Sequence, residues 1–312
     1  MTDRNVGFGQ THASIALGLA AMVDGDSTVV FAQNVNGDRV YDESGLTITV
    51  PNATLKSSIV GTKFTIRQNN ANAMDTLTVT VAAAGALNIQ DINIIRTRQG
   101  IDAKHTSGTV TVERCQVWNA SASAIVHSSG AGNFVVNNSI CMWCSNSFAA
   151  TASTNLTYNY CLSAFCTGKA FITNAVVGTD TSNNCLSYQD NIDWDGTFGA
   201  GGNNASTKSS GSSGAPGSGN IFDITLANTK FAYYFAPPTT TLFPFWDFRT
   251  VDAQSSVLEN AGVVVSGVTD DIDGRTRSVT VPNIGPTEGF LGFGTIVSGI
   301  QRIVGVNLTV KI

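Results

Sequence analysis

Short apolar stretches alternate with polar turn formers through the middle of the chain, and this pattern repeats about every 23 residues. Five segments, beginning at Leu87, Val110, Phe134, Leu156 and Asp180, align without gaps. One column of the alignment, spaced at this nearly constant period, contains Ile92, Cys115, Ser139, Cys161 and Cys185. Two positions later stand Ile94, Val117, Cys141, Ser163 and Ser187, and three positions earlier stand Ile89, Val112, Val136, Tyr158 and Ser182. A further register, Ile101, Ile125, Phe148 and Phe171, follows each segment and completes the repeat.

A repeat of this length predicts one coil of a β-solenoid, made of two or three short strands joined by turns. A single coil cannot bury its own apolar face, so coils stack and equivalent residues form ladders inside the tube. The column from Ile92 to Cys185 is expected to be such a structural ladder, because a free cysteine behaves as a small hydrophobic residue. A leucine-rich repeat has a similar period, but its Leu-x-x-Leu-x-Leu pattern is absent. We therefore predict an all-β chain that folds as a right-handed parallel β-helix.

The segments that flank the repeat predict a cap at one end and an interruption near the other. Ser14 is a good N-cap for a short helix with Ile15, Leu19 and Met22 on one face. The alternative, a signal peptide, is opposed by the polar residues around this short apolar stretch. Residues 1–13 are expected to form an N-terminal arm, and residues 14–289 the β-helix domain. The Gly/Ser-rich segment 199–220 predicts a surface loop between coils.

The C-terminal stretch, 290–312, is a strongly apolar and β-prone tail. A lone exposed strand of this kind would aggregate, so we expect the tail to cap the solenoid or to form an interface. The residues expected in that interface are Phe290, Phe293, Ile296, Ile300, Ile303, Val304 and the dipeptide Val306-Asn307.

Composition narrows the range of partners. The net charge is −5 and there is no basic run, so neither a nucleic acid nor an anionic membrane surface is expected as a partner. No apolar window is long enough for a membrane-spanning helix. Six cysteines in 312 residues are too sparse for a disulfide scaffold. We predict no cofactor and no metal.

Two stretches resemble pectin-lyase-like right-handed parallel β-helix proteins, a family that includes phage surface and spike proteins and bacterial surface proteins. In the first stretch, 14–61, the matching pieces are Gly25-Asp26, the strand Thr28 to Phe31, Tyr41 with Glu43, and Ile59-Val60-Gly61. In the second, 220–289, the matching pieces are NIFDI, DFRTVDAQSSVLENAG, DIDGRTR and NIGPTEG, which are similar to the closing coils of such proteins. The resemblance implies a fold and not a function, since this fold hosts lyases, hydrolases, adhesins and viral spikes.

Enzymes of this fold, by the same resemblance, cleave acidic polysaccharides with carboxylate pairs or with a Ca²⁺-binding carboxylate cluster. The strongest catalytic candidates are Asp190, Asp193 and Asp195; alternate strand residues share a face, so Asp193 and Asp195 could hold a cation together. The competing interpretation, which we favour, is a polar turn that ends the last regular coil. In the closing turn, Asp271, Asp273 and Arg277 are expected to form side-chain hydrogen bonds to the backbone and one ion pair.

The remaining chemical candidates are expected to be structural. His105 and His127 lie in adjacent coils and could form a metal or acid–base pair, but exposed turn positions are favoured. Cys141 and Cys144 form a C-x-x-C motif, whose two side chains face opposite ways in an extended strand. An aromatic cluster between Phe231 and Phe248 could bind sugars, and a core patch or interface is the favoured alternative.

Taken together, these features predict a non-catalytic structural protein on the surface of a bacteriophage particle: a capsid decoration, a head fibre, or a tail fibre or spike module. The expected partners are other copies of the chain, with a trimer favoured, another virion protein, and surface glycans. The alternative is a β-helix protein that binds or cleaves polysaccharide. A third hypothesis, an extracellular adhesin on a cell surface, lacks a clear export signal and an anchor.

Overall fold

The computed structural model of the chain describes residues 2–68, 73–151, 155–173, 179–229, 231–233, 247–250 and 256–288. The helices are α1 (Ile15–Ala20), α2 (Ser210–Ser213) and α3 (Leu226–Thr229). The strands of the first half are β1 (Asp3–Val6), β2 (Asp26–Val30), β3 (Val40–Tyr41), β4 (Leu46–Ile48), β5 (Ala53–Ser57), β6 (Phe64–Arg67), β7 (Leu77–Gln90), β8 (Ile92–Thr97), β9 (Ile101–Glu113), β10 (Gln116–Ala120), β11 (Ser123–Ser129) and β12 (Asn133–Asn137). The strands that follow are β13 (Ile140–Met142), β14 (Asn146–Ala150), β15 (Leu156–Asn159), β16 (Leu162–Ala164), β17 (Lys169–Ile172), β18 (Thr181–Asn183), β19 (Leu186–Tyr188), β20 (Ile192–Asp195), β21 (Ala200–Gly202), β22 (Ala205–Ser206), β23 (Phe231–Tyr233) and β24 (Asp247–Thr250).

The strands β1 to β22 form three faces of a parallel β-helix, and each complete coil contributes one strand segment to each face. Face 1 contains β4, the first half of β7 and of β9, then β11, β14, β17 and β20. Face 2 contains β1, β2, β5, the second half of β7 and of β9, then β12, β15, β18 and β21. Face 3 contains β3, β6, β8, β10, β13, β16, β19 and β22. Every pairing among these strands is parallel, which confirms the predicted β-helix.

The register of the strands places equivalent repeat positions side by side. On face 3, Val117 pairs with Ile94 and with Cys141, and the row continues to Ser163 and Ser187. Face 2 has the row Ile89, Val112, Val136, Tyr158 and Ser182. On face 1 the row Ile101, Ile125, Phe148 and Phe171 extends to Leu77 at one end and to Trp194 at the other. The column of Ile92, Cys115, Ser139, Cys161 and Cys185 lies at the corner between faces 2 and 3, and all five side chains are fully buried.

Two columns of residues in left-handed backbone conformation turn the chain at the two edges of face 3. The column before face 3 contains Asp91, Arg114, Asn138, Tyr160, Asn184 and Asn203, and the column after it contains Arg96, Asn119, Trp143, Phe165 and Gln189. Residues other than glycine adopt positive φ only where the surroundings hold them there, and Asn and Asp do so at the lowest cost. Except for the shorter step from Asn184 to Asn203, the distance along the chain between successive turns of a column is nearly constant and equals the repeat length that the sequence displays.

The first coil begins earlier than predicted. Helix α1 is capped by Ser14, whose Oγ accepts a hydrogen bond from Leu17 N at 3.2 Å, as expected. Glu43 adds to this cap by accepting the amides of Ile15 and Ala16 at 2.8 and 2.9 Å. The predicted arm 1–13 instead includes β1, which pairs along its whole length with β2. These residues are therefore part of the stack rather than an extension from it.

The segment 199–220 is also not the surface excursion that its composition predicts. Strand β21 pairs with β18 on face 2, and β22 pairs with β19 on face 3, so the segment supplies most of one more coil. At Gly201, with φ of +138°, a Cβ atom would lie 2.1 Å from the carbonyl oxygen of Ser182. Glycine therefore serves here to let two coils approach closely, and not to make a flexible loop.

Residues 256–288 differ from the predicted closing coils. They pack as an irregular segment along the outer side of face 3, where a second apolar cluster forms from both layers: Ile140, Met142, Leu162, Ala164, Leu186, Tyr188, Ala205, Ile224, Phe231, Leu258, Ile272 and Ile284. The left-handed column anchors this segment, since the side chains of Tyr160 and Asn184 both donate to Val263 O at 2.7 Å. An isolated antiparallel bridge, Asp270 to Thr276, is the β-pairing found within it.

The buried charges of this segment agree with the prediction for the closing turn. The Asp271 carboxylate accepts the amides of Asp273, Arg275 and Glu288 at 2.8 to 2.9 Å. Arg277 forms an ion pair with Glu288 at 3.0 Å, and its guanidinium lies 3.8 Å from the centre of the Tyr160 ring. The segment is thereby fixed to face 3 by polar contacts as well as apolar ones.

The tail 290–312, with every predicted interface residue, lies outside the described residues. Within them, no helix is long and apolar enough to cross a membrane.

Candidate functional site

Two of the three candidate carboxylates meet inside the solenoid. Asp190 follows the left-handed turn at Gln189, in the column that contains Cys144 and Cys166 in the preceding coils. Asp193 is the second residue of β20, at the corner where face 1 begins, and both it and Trp194 point into the interior. The side chains of Asp190 and Asp193 are 5% and 0% exposed, so neither reaches the solvent.

Ser187 joins the two carboxyl groups. Its Oγ lies 2.8 Å from Asp190 Oδ2 and 2.7 Å from Asp193 Oδ1. A serine hydroxyl has one proton to donate, so only one of these two contacts can use it. The other contact requires a proton on an aspartate. Burial raises the pKa of Asp190 to about 7 and also raises the pKa of Asp193. The consistent arrangement is a protonated Asp190 that donates to Ser187, which in turn donates to an ionised Asp193.

The remaining polar atoms of this network are also provided by interior columns. Cys166 N donates to Asp190 Oδ1 at 2.7 Å, and Ser206 Oγ makes a short contact with Asp193 Oδ2. Ser147 bonds to Ser163 at 2.7 Å in the neighbouring coils. The network can hold a proton within the β-helix, but because it is enclosed on all sides it offers no surface to a polymer.

Asp195 lies apart from this pair. Its carboxylate forms a surface ion pair with Lys169 at 2.5 Å, and the side chain is 40% exposed. The shared face that strand alternation predicts for Asp193 and Asp195 is therefore not formed, because β20 begins at a corner where two consecutive residues turn inward. Extending the repeat alignment to Cys144, Cys166 and Asp190, and to Ser147, Ala170 and Asp193, would have placed both aspartates inside. Ser187 and Ser206 belong instead to the face 3 row of Val117 and Cys141, and the sequence analysis did not select them as partners of the aspartates.

The histidine pair is buried, contrary to the expectation of exposed turn residues. His105 on β9 and His127 on β11 are 1% and 0% exposed, and their ring centroids lie 4.6 Å apart with the planes at 86°. Burial lowers the pKa of both imidazoles, to about 4 for His127, where His105 contributes as a second cause. Both rings are therefore neutral at pH 7.

The cysteines are free and buried throughout. Cys141 lies in the face 3 row, whereas Cys144 lies in the corner column, where its amide donates to Cys166 Sγ at 3.4 Å. The two thiols of the C-x-x-C motif thus belong to different columns. Burial raises the pKa of Cys141 and Cys166 well above the usual value. No group of three or more His, Cys, Asp or Glu residues suited to a metal is present in the part of the chain that the structure describes.

An aromatic ladder runs along the outer edge of face 3. Neighbouring rings are 5.5 to 6.0 Å apart along the series Trp118, Trp143, Phe165, Tyr188 and Phe231. Trp143 and Phe165 are stacked at 12°, so each covers a ring face of the other instead of presenting it outward. Of the predicted aromatic cluster, Phe231 joins this ladder, while Tyr234, Phe235, Phe243, Phe245 and Trp246 lie outside the described residues. The ladder therefore favours a core patch that packs against the C-terminal segment, residues 256–288, over a sugar-binding surface.

The chain matches no family model and no curated protein. Among solved structures, it is similar to the crystal structure of pectate lyase Pel9A, with a TM-score of 0.45 and 12% identity, over 92% of this chain and 96% of that chain. Nothing about activity follows from a likeness of this level, and the fold is established by the strand pairings themselves. In architecture the chain is a parallel β-helix.

Proposed function

We propose that this chain is a non-catalytic structural protein, a rigid rod of stacked coils. The observation that carries the proposal is the enclosure of Asp190 and Asp193, the strongest carboxylate pair among the described residues. Their bonds to Ser187 and Ser206 use the lone pairs and protons that acid–base catalysis would need. A hydrolase of polysaccharides needs two carboxyl groups that reach the bond being cleaved.

The parallel ladders support a mechanical role. Each coil is bonded to its neighbours by main-chain hydrogen bonds on three faces. A pulling force or a protease that acts at one point is therefore resisted by the hydrogen bonds of the neighbouring coils. Within this class we propose the surface of a virus particle as the location, with assembly through residues 290–312. Support for this location comes from the low charge of the chain and from the apolar tail.

The first test is a search for activity. The purified chain is incubated with acidic and neutral polysaccharides, and new reducing ends and unsaturated products are measured. We expect no turnover. Turnover that disappears in the Asp193→Asn variant and persists in Asp195→Asn would show that the internal pair is catalytic and would overturn the proposal.

The second test concerns assembly. Light scattering gives the native mass of the full chain and of a variant that ends at Gly289. The proposal expects a trimer that becomes a monomer on truncation, together with detection of the chain by mass spectrometry in purified virus particles. A monomer in both cases contradicts assembly through the tail.

A second candidate function, glycan binding without cleavage, is favoured by the outer side of face 2. Thr111, Thr157 and Thr181 carry outward hydroxyl groups in one row, and in the next row Asn137, Asn159 and Asn183 form an amide ladder with bonds of 3.0 and 3.1 Å, beside the Glu113 carboxylate. Such rows offer regularly spaced donors and acceptors for sugar hydroxyls. Glycan binding that is lost in Thr157→Lys and retained in Lys169→Thr, on face 1, would favour this alternative.

A further inference from the structure

The two interior histidines lie at one place in the stack. His127 occupies a face 1 row in which its neighbours in the adjacent coils are Ala103 and Ala150, and its ring lies 5.7 Å from that of Phe134. His105 pairs with Val81 in the preceding coil, and its ring packs edge-to-face against that of His127. The surroundings of the pair are thus almost entirely apolar.

The pair is poorly compensated by hydrogen bonds. His105 Nε2 lies 2.9 Å from Asn133 O, while His105 Nδ1 makes no hydrogen bond and the His127 ring has only a contact with the His105 backbone that falls short of hydrogen-bond geometry. On the face 1 segments of β7, β9, β11 and β14, which surround the pair, the charged residues are Asp102 and Lys104, and these form an ion pair with each other at 3.0 Å. The elements packed against the pair contribute Val81 from β7, Phe134 from β12 and Ala150 from β14, none of which titrates. Among the described residues, a positive charge on His127 would therefore have no counter-ion, and its titratable neighbour is a second histidine.

A loop of small residues covers His105. The connection between β11 and β12 continues from Ser129 through Gly130, Ala131 and Gly132. At Gly132 a Cβ atom would lie 2.1 Å from His105 Cδ2, and at Gly130, with φ of +100°, it would lie 1.9 Å from His105 O. The loop buries little apolar area of its own, so it is the part of this region that opens at the lowest free-energy cost.

We propose that the His105–His127 pair is an acid-operated switch: protonation of the pair expels it from the interior and opens the loop formed by residues 128–132. The physical cause is that an imidazolium needs water or a counter-ion, and opening this loop is the shortest route to water. Because each histidine would repel the other once charged, the pair responds more steeply than a single buried histidine. The inference is independent of the proposed function.

The direction of the effect follows from linkage. The folded pKa of His127, about 4, lies below the unfolded value of 6.5, so its contribution to stability is complete above pH 6.5 and is lost as the pH falls towards 4. Protonation of His127 alone therefore makes the equilibrium ratio of open to closed form roughly 30-fold larger at pH 5 than at pH 8. Local opening is therefore expected in mildly acidic solution, well above the pH of general acid denaturation.

Hydrogen–deuterium exchange with mass spectrometry tests the proposal on the full chain, with rates corrected for the intrinsic effect of pH. Between pH 7.5 and pH 5, protection in peptides spanning residues 123–137 is expected to fall by at least tenfold. Peptides spanning 186–195 provide an internal reference and are expected to stay protected. The control variant His12→Asn, which changes a histidine outside the interior, should behave like the natural chain.

Three results would overturn the switch. The first is unchanged protection of residues 123–137 in the natural chain, which needs no variant and so remains decisive if a substitution prevents folding. The second is an equal loss of protection in His127→Leu, and the third is an equal loss in all peptides, which would indicate global unfolding.

Discussion

Replacing Asp190 by Asn should stabilise the protein at neutral and alkaline pH and change its stability little at acid pH. Asparagine has nearly the same shape as protonated aspartic acid: its Oδ1 can accept from Cys166 N, and its Nδ2 can donate to Ser187 Oγ. The network around Asp193 is thus preserved. What the substitution removes is the need to ionise a buried carboxyl group as the pH rises.

The magnitude follows from the raised pKa. The folded pKa of Asp190, about 7, exceeds the unfolded value of 3.8, so the stability contributed by its protonated form is complete below pH 3.8 and is lost as the pH rises towards 7. The full difference corresponds to about 4 kcal/mol, an upper limit, and the part between pH 5 and pH 8 is about 2–3 kcal/mol. The variant should therefore gain about 2–3 kcal/mol over the natural chain between these two pH values.

Urea denaturation at pH 5, 6, 7 and 8, followed by circular dichroism, measures this difference. Asp195→Asn is the matched control, because Asp195 is a partly exposed aspartate in the same strand region, and its ion pair with Lys169 is worth at most about 1 kcal/mol. If the stability difference between Asp190→Asn and the natural chain is the same at pH 5 and pH 8, Asp190 is not protonated in the folded protein. In that case the proton assignment in the network would be wrong.

Three further predictions concern packing and the C-terminal segment. Phe171→Ala should destabilise the protein by about 3–5 kcal/mol, since the Phe171 ring stacks between those of Phe148 and Trp194, with centroid distances of 5.2 and 5.1 Å. Urea denaturation measures this loss, and Val279→Ala, at a side chain that is 81% exposed, is the control expected to change stability little. Arg277→Ala should lower the free energy of unfolding by about 3–5 kcal/mol, because it leaves Glu288 and Asn138 without their buried partner. Limited digestion with trypsin should then cleave the variant faster at Arg275, and an unchanged rate would contradict the anchoring role. Gly201→Ala should lower the melting temperature, because its Cβ would meet Ser182 O at 2.1 Å, whereas Gly211→Ala, where nothing lies within 4 Å, should leave it nearly unchanged.

The sequence by itself determined the β-helix and the partners within its rows. A coil of nearly constant length places residue i beside the residue one period later, so the rows through Val117 and Val136 could be read from spacing alone. The cap at Ser14 was equally local, because its side chain bonds to the backbone amide of Leu17 in the first turn of the helix. Asp271 and Arg277 in the closing turn were also predicted, since most of their partners lie close to them along the chain.

Only the tertiary structure decided which way side chains point at corners and what covers the outer surfaces. Alternation holds within a strand, but at a corner both Asp193 and Trp194 turn inward, and this separates Asp193 from Asp195. The burial of His105 and His127 depends on a loop that returns over them, and the coil formed by residues 200–206 depends on close contact that glycine permits. The packing of residues 256–288 on face 3 joins positions that are far apart along the chain, through contacts such as Asn184 to Val263. A repeat specifies contacts between neighbouring coils, and contacts between a coil and a distant irregular segment leave no periodic trace in the sequence.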